Sequence, residues 1–272
     1  MRKTLLIFIL ITIPFNVSGQ DPEDYIIENY YKLTSKHFEF KKEVFNKDQL
    51  ATLNSIISDT NTYFCADTDE IAELIKNFYF IDLDDDNDQD LVFNGFQCSG
   101  FESESVIVFI NIDGNYNKTL IVRGRILSFT KARELNIFAY PCCAETQNII
   151  TNYEIVPNTL YKRFGLTFFD SPLLNQNKSY QNIMPPVLKK DGKCNIISGA
   201  QVNYTPQDTL FRSTYIESNL IYETKSIETA TVFAKYSGSD GSIWLYCKIP
   251  GETNNDERKN YILAWVNSKY CR

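Results

Sequence analysis

The spacing of apolar residues changes once along the chain, from helical to alternating. Between Asp24 and Lys42 the set Tyr25, Ile26, Ile27, Tyr30, Tyr31 and Leu33 recurs at close to helical intervals, and Phe45 to Ile57 repeats it with Leu50, Leu53, Ile56 and Ile57. Asp67-Thr68, ahead of Asp69, Glu70 and the apolar Ile71, Leu74 and Ile75, reads as a capped helix start. Beyond residue 78 the runs become short and β-branched or aromatic: Val106–Ile112, Thr119–Val122, Ile126–Phe129, Leu135–Tyr140 and Ile149–Val156, with Asp113-Gly114-Asn115 as a hairpin turn. A second group follows at regular short intervals: Gln201–Tyr204, Asn219–Glu223, Ala230–Tyr236, Ile243–Ile249 and Tyr261–Asn267, with the turn Ser237-Gly238-Ser239-Asp240-Gly241 inside it.

These patterns predict an α+β protein in which N-terminal helices and an antiparallel sheet occupy residues 20–170. Residues 171–193, with Pro172, Pro185 and Pro186 among Asn, Lys and Ser, lack periodicity and read as a linker. Five short strands in residues 194–272 then suggest a small barrel. No internal repeat is visible. The start of the chain is different again: Arg2 and Lys3, an apolar run from Leu5 to Phe15, and Val17-Ser18-Gly19 describe a secretory signal peptide over residues 1–19. The run is shorter than a membrane span needs, and no later segment is longer, so the expectation is a secreted or periplasmic protein with no membrane span after cleavage.

Composition removes several function classes. A formal charge of -7 over 272 residues argues against a nucleic-acid surface, and 43% hydrophobic residues are enough for a substantial core. With a single His, a multi-His zinc site is excluded and a Ser-His-Asp triad would rest on His37 alone, a residue that reads as packing or surface. Seven Cys (65, 98, 142, 143, 194, 247 and 271) lie beyond the signal segment. In an oxidising compartment they read as disulfide formers, none of them in a C-x-x-C pair. Their connectivity is open from spacing, and the odd count leaves at least one thiol free or paired between chains.

The sharpest chemical pattern is Ile81-Asp82-Leu83-Asp84-Asp85-Asp86-Asn87-Asp88-Gln89-Asp90-Leu91-Val92, with Asp82, Asp84, Asp86, Asp88 and Asp90 at alternate positions. Calcium takes six to eight oxygens, and acids at every second position of a tight loop can turn inward together. Asn87 stands where an EF-hand loop has Gly and Phe93 where it has Glu, so this is not a complete EF-hand. The segment resembles the calcium loops of FG-GAP/VCBS-type repeats. That resemblance implies a structural calcium ion held by the side chains of Asp82, Asp84, Asp86 and Asp90 and the backbone carbonyl of Asp88.

In the C-terminal region Thr209-Leu210-Phe211-Arg212-Ser213, Ile243-Trp244-Leu245-Tyr246-Cys247-Lys248 and Leu263-Ala264-Trp265-Val266-Asn267 resemble the landmarks of bacterial SH3-like (SH3b) domains. Ala264 replaces the usual Gly, Phe211 interrupts the leading motif, and Gly251 to Asn260 inserts a polar loop. The resemblance implies an SH3-like barrel serving as a cell-envelope binding module for peptidoglycan or a peptide or protein partner. It also implies that first and last strands lie side by side, which would bring Cys194 to Cys271. Tyr236, Trp244, Tyr246 and Trp265 are its candidate ligand-binding aromatics. Alternation puts Trp244 and Tyr246 on the face opposite Leu245 and Cys247. The function expected is therefore a non-enzymatic exported binding protein, the alternative being an envelope hydrolase targeted by its SH3-like module, with no activated nucleophile legible in the sequence.

Overall fold

A computed structural model of the chain describes residues 20–41, 44–59, 71–96, 104–130, 132–139, 147–169, 183–185, 187–211, 218–251 and 259–272. The expected signal peptide, the capping residues Asp67–Glu70, Cys65, Cys98, Cys142, Cys143, most of the expected linker, and Arg212 and Ser213 lie outside these.

The first helical stretch is shorter than its pattern suggested. It forms α1 (Pro22–Glu28) and α2 (Tyr30–Thr34), separated at Asn29, whose amide donates to Tyr25 O at 2.9 Å. The chain then runs non-helically through His37 and inserts Phe40, 8% exposed, into a sheet interface. α3 (Lys47–Asp59) opens on a reciprocal cap, Asn46 and Gln49 each donating a backbone N–H to the other's side-chain oxygen at 2.9 Å. A short α4 (Ile71–Ile75) follows.

Strands β1 (Phe78–Ile81), β2 (Asp90–Phe96), β3 (Glu104–Ile112) and β4 (Asn115–Arg123) form an antiparallel sheet in chain order. The β3–β4 turn is the expected one: Asp113 and Gly114 both take positive φ (53° and 84°), as a two-residue hairpin of matching twist requires. The remaining strands are β5 (Arg125–Phe129), β6 (Glu134–Ala139), β7 (Asn148–Val156), β8 (Thr159–Phe168), β9 (Lys193–Ile196), β10 (Gln201–Asn203), β11 (Leu220–Glu223), β12 (Glu228–Ser237), β13 (Ile243–Pro250) and β14 (Lys259–Asn267). They make one sheet ordered β5-β6-β7-β8-β14-β13-β12-β9, with β10 paired to β14 and β11 to β10. β1, β2, β8 and β9 are strands that the sequence pattern did not indicate.

The core is layered. Alternation along β3 sends Val106, Val108 and Ile110 toward Ile126, Leu135, Ile137 and Ile155 of the second sheet, while Ile107 and Phe109 face Leu53, Ile57 and Leu74 of the helices. This strand is apolar throughout because it is covered on both faces. The far side of the second sheet is covered by α1 and α2, whose Ile26, Ile27 and Tyr30 pack with Phe168, Leu263, Tyr246 and Trp265. No helix among the described residues is long and apolar enough to cross a membrane.

The small closed barrel expected of residues 194–272 is not formed. β9 to β14 do enclose a core of their own, including Ile196, Val202, Val232, Leu245, Cys247 and Val266. Yet β14 divides one edge between two neighbours, with Lys259–Leu263 running parallel to Phe164–Phe168 of β8 and Trp265–Val266 pairing with β10. The edge that closure would need is taken by β8, and the sheet continues across residue 193. The antiparallel sheet expected of the N-terminal region is formed by β1 to β4, whereas the larger second sheet is mixed.

The cysteine expectations for this region are met in geometry. Cys194 and Cys271 form a disulfide with Cα atoms 5.4 Å apart, and Asn195 and Arg272 exchange backbone hydrogen bonds (3.1 and 3.0 Å) beside it. Cys247 is a free, fully buried thiol, and burial pushes its pKa up to about 12.

Candidate functional site

Two places combine chemistry with shape. The first is the acidic loop between β1 and β2. Asp85 and Asn87 adopt left-handed φ (59° and 73°), which folds the loop tightly enough that carboxylate oxygens of Asp82, Asp84 and Asp86 lie within 4.8 Å of one another. Asp82 Oδ2 accepts from Asn87 N (3.1 Å) and Asp86 Oδ1 from Asp88 N (2.9 Å). Three carboxylate oxygens, Asp82 Oδ1, Asp84 Oδ1 and Asp88 Oδ1, are shut off from solvent without accepting a hydrogen bond. Asp84 as a whole is 2% exposed. Burial and its neighbours Asp86, Asp84 and Asp82 hold the Asp88 carboxyl above its ordinary range.

The roles of Asp88 and Asp90 differ from those the calcium-loop resemblance implied. Asp90 is fully buried, and both its oxygens accept backbone N–H groups, from Leu83 at 2.9 Å and Asn111 at 2.8 Å. Desolvation outweighs those bonds and raises its pKa to about 7. Asp90 is thus a brace between the loop and β3, whereas Asp88 presents an unsatisfied carboxylate oxygen. The loop also reaches the second sheet: Asp84 Oδ2 accepts from Asn158 N in the β7–β8 turn (3.0 Å), and Asp85 binds Arg133 at 2.8 and 3.1 Å.

The second place is a groove of about 950 Å³ at one end of the β13–β14–β10 face. Its register explains its origin. Trp244 pairs with Asn267 and Asn203 with Trp265, so Trp244, Tyr246 and Lys248 of β13 share a face with Leu263, Trp265 and Asn267 of β14 and Asn203 of β10. The helices α1 and α2 cover Tyr246, Leu263 and Trp265; the end bearing Trp244, Asn267 and Asn203 stays open. A short 3₁₀ turn (Asp208–Leu210), the β12–β13 turn at Asp240 and the 3₁₀ turn Ser268–Tyr270 form the walls.

Only one of the four expected aromatics lines this groove. Trp244 does, half-buried, with its indole Nε1 donating to Ser242 Oγ at 2.9 Å. Tyr246 and Trp265 are fully buried in the shared core, their rings 5.3 Å apart, and cannot stack on a ligand. Tyr236 sits opposite Trp244 in the β12–β13 ladder and packs edge-on to Trp265 at 6.5 Å. The expectation that Trp244 and Tyr246 oppose Leu245 and Cys247 holds, but the face they share is mostly covered. Sequence reading missed Gln201, Asn203, Asp208, Phe211, Asp240 and Asn267. The one usable signal was the polar Asn267 at the end of the Leu263-Trp265 stripe, which marks where that face meets water.

His37, the single His, is exposed, with its ring 3.4 Å from the Arg125 guanidinium. It lines neither place. Compared with known proteins, the chain matches no family model, no curated protein and no solved structure.

Proposed function

We propose that the protein is an exported, non-enzymatic binding protein of the cell envelope. In this reading its C-terminal strands are an SH3-like module, grown into a larger sheet, that recognises peptidoglycan or a peptide or protein partner, and the acidic loop holds a structural calcium ion. The observation that carries the reading is the groove: an open, mostly polar cleft with one anchored tryptophan, of the size ligand sites have. Asp240 at its rim is held below the usual carboxylate range by hydrogen bonds from Ser242 Oγ (2.6 Å) and N (3.0 Å). That suits a hydrogen-bond acceptor at the rim.

The calcium part rests on the three orphaned oxygens of Asp82, Asp84 and Asp88, with Asp86 completing the cluster. Buried anionic oxygens without donors are costly, and a hard divalent cation offsets that cost directly. Its contribution would be structural, fixing a loop already bonded to both sheets.

The test is co-sedimentation of the chain from residue 20 onward with insoluble envelope sacculi and with detergent-solubilised envelope proteins, for wild type and Trp244→Ala. Retention of the wild type and its loss in the variant is the expected result. No retention on either material overturns the reading. For calcium, the melting temperature should rise at metal concentrations of about 10⁻⁴–10⁻³ M and fall back with chelator. No shift at several times that concentration removes the ion from the proposal.

A further inference from the structure

We infer that the groove is a saccharide cleft: it takes a neutral, hydroxyl-rich oligosaccharide, one ring lying on Trp244 and hydroxyls paired to Asn203 and Gln201. The inference rests on the reading of the chain as a binding protein and names the occupant of that site.

Asn203 is the central observation. It is only 7% exposed, lines the groove, and its side chain has no hydrogen-bond partner among the described residues. Its amide oxygen and nitrogen open onto the groove, where a ligand can supply both a donor and an acceptor. Gln201, two residues earlier on the same face of β10, offers a second amide with no described side-chain partner. A sugar hydroxyl both donates and accepts, so neighbouring hydroxyls match the paired O and NH₂ of each amide.

Trp244 supplies the complementary element. Its only polar atom is committed to Ser242, which itself donates to Asp240, so the ring is fixed at its edge and has only its apolar face to offer. The C–H face of a pyranose ring fits such a surface. Charge argues in the same direction. Among the described lining residues, Asp208 and Asp240 stand at the walls against one Lys269, whose ammonium lies 4.7 Å over the Tyr270 ring, so these walls favour a neutral ligand over an anionic one. Of the other two groove aromatics, Tyr270 lies under the Lys269 ammonium and Phe211 is stacked on Tyr204 at 5.3 Å, so both add to the walls instead of forming a side-chain pocket of the kind peptides use. A trough of about 950 Å³ accommodates several rings in a row.

The chain has two tryptophans and Trp265 is fully buried, so a groove ligand is read by Trp244 fluorescence. The full chain from residue 20 should show a saturable change with cellotetraose or tetra-N-acetylchitotetraose, weakened about tenfold or more in Asn203→Leu and in Gln201→Ala, with unchanged melting temperature in at least one of the two. Two variants are named because Asn203 is buried and Gln201 is exposed. No response to either oligosaccharide, or a response that neither variant weakens, overturns the saccharide assignment. A response to the tetrapeptide Ala-Lys-Ala-Ala without one to the sugars also overturns it, yet leaves the binding-protein reading standing; failure of sacculi and envelope proteins to retain the chain removes both.

Discussion

Asp24 of α1 and Lys248 of β13, 224 positions apart, form a buried ion pair. Lys248 Nζ is 2.5 Å from Asp24 Oδ1, Lys190 Nζ is 2.6 Å from Asp24 Oδ2, and Asp24 is fully buried. The Lys248 ammonium also lies 4.8 Å over the Tyr261 ring, whose hydroxyl donates to Glu23 at 3.3 Å. The first helix is thereby fastened to the strands that make the groove.

Asp24→Ala should cost about 3–5 kcal/mol, because it leaves the Lys248 ammonium buried without its partner. Replacing both residues, Asp24→Leu with Lys248→Met, should restore a large part of that loss, which urea denaturation of the three chains will measure. The pair also has a pH signature. Burial alone would raise the Asp24 pKa, but hydrogen bonds from Lys190 and Lys248 outweigh it and the net shift is downward. A depressed carboxylate stabilises the fold above its unfolded value of 3.8 and loses that contribution as pH falls through the folded value. Wild type should therefore lose its advantage over Asp24→Asn only below about pH 4.

Gly124 joins the two sheets, and substitution there should be severe. Its φ is +136°, and an added Cβ would meet the Phe138 carbonyl oxygen at 2.1 Å. Gly124→Ala should destabilise by more than about 2–3 kcal/mol, from backbone strain together with the clash. A variant melting within a degree of wild type would contradict the geometry of this crossing.

Reduction should weaken the C-terminal end. The Cys194–Cys271 bond spans 77 positions, and closing a loop of that length is worth about 4 kcal/mol on a chain-entropy estimate. Cys194→Ser together with Cys271→Ser should lower the melting temperature by several degrees. In the native wild type, iodoacetamide at neutral pH should leave Cys247 unmodified, since burial holds its thiol at about 12, and label it after unfolding. A mapped Cys194–Cys247 peptide would refute the pairing.

A fragment from Lys193 onward should fold poorly by itself. It lacks β8, the neighbour of β14, and it lacks the helices that cover Tyr246 and Trp265, both fully buried in the whole chain. Dye binding to exposed apolar surface and a non-cooperative melt are expected. A sharp cooperative transition in the fragment would mean that β9 to β14 form an independent unit.

Strand content near the β3–β4 hairpin and across β12 to β14 was legible because those segments alternate or run apolar between clear turn residues. β8 was not. Thr159-Leu160-Tyr161-Lys162-Arg163 reads as a polar stretch and is a strand through its antiparallel hairpin with β7, while the place of Phe164–Phe168 comes from parallel pairing with a strand almost a hundred residues later, which no local pattern reports. The same distance effect explains the aromatics. Tyr246 and Trp265 look like ligand platforms within a barrel, and become core once α1 and α2 lie over them. The acidic loop was readable because its chemistry is local. The exchange of roles between Asp88 and Asp90 was not, because it depends on Asn111 of β3.

The placement of β14 has a consequence for biosynthesis. It is the last of the described strands in sequence, yet it lies in the interior of the sheet, between β8 on one side and β13 on the other. While the polypeptide emerges from a ribosome or a translocation channel, β8 and β13 each carry a bare edge, since the segment that pairs with both has not arrived. Such edges invite pairing with other chains. Completion of the sheet thus waits for a strand almost a hundred residues after β8, a step of high contact order, slow by the standards of locally connected folds. Until then the open edges of β8 and β13 are where wrong pairing would begin.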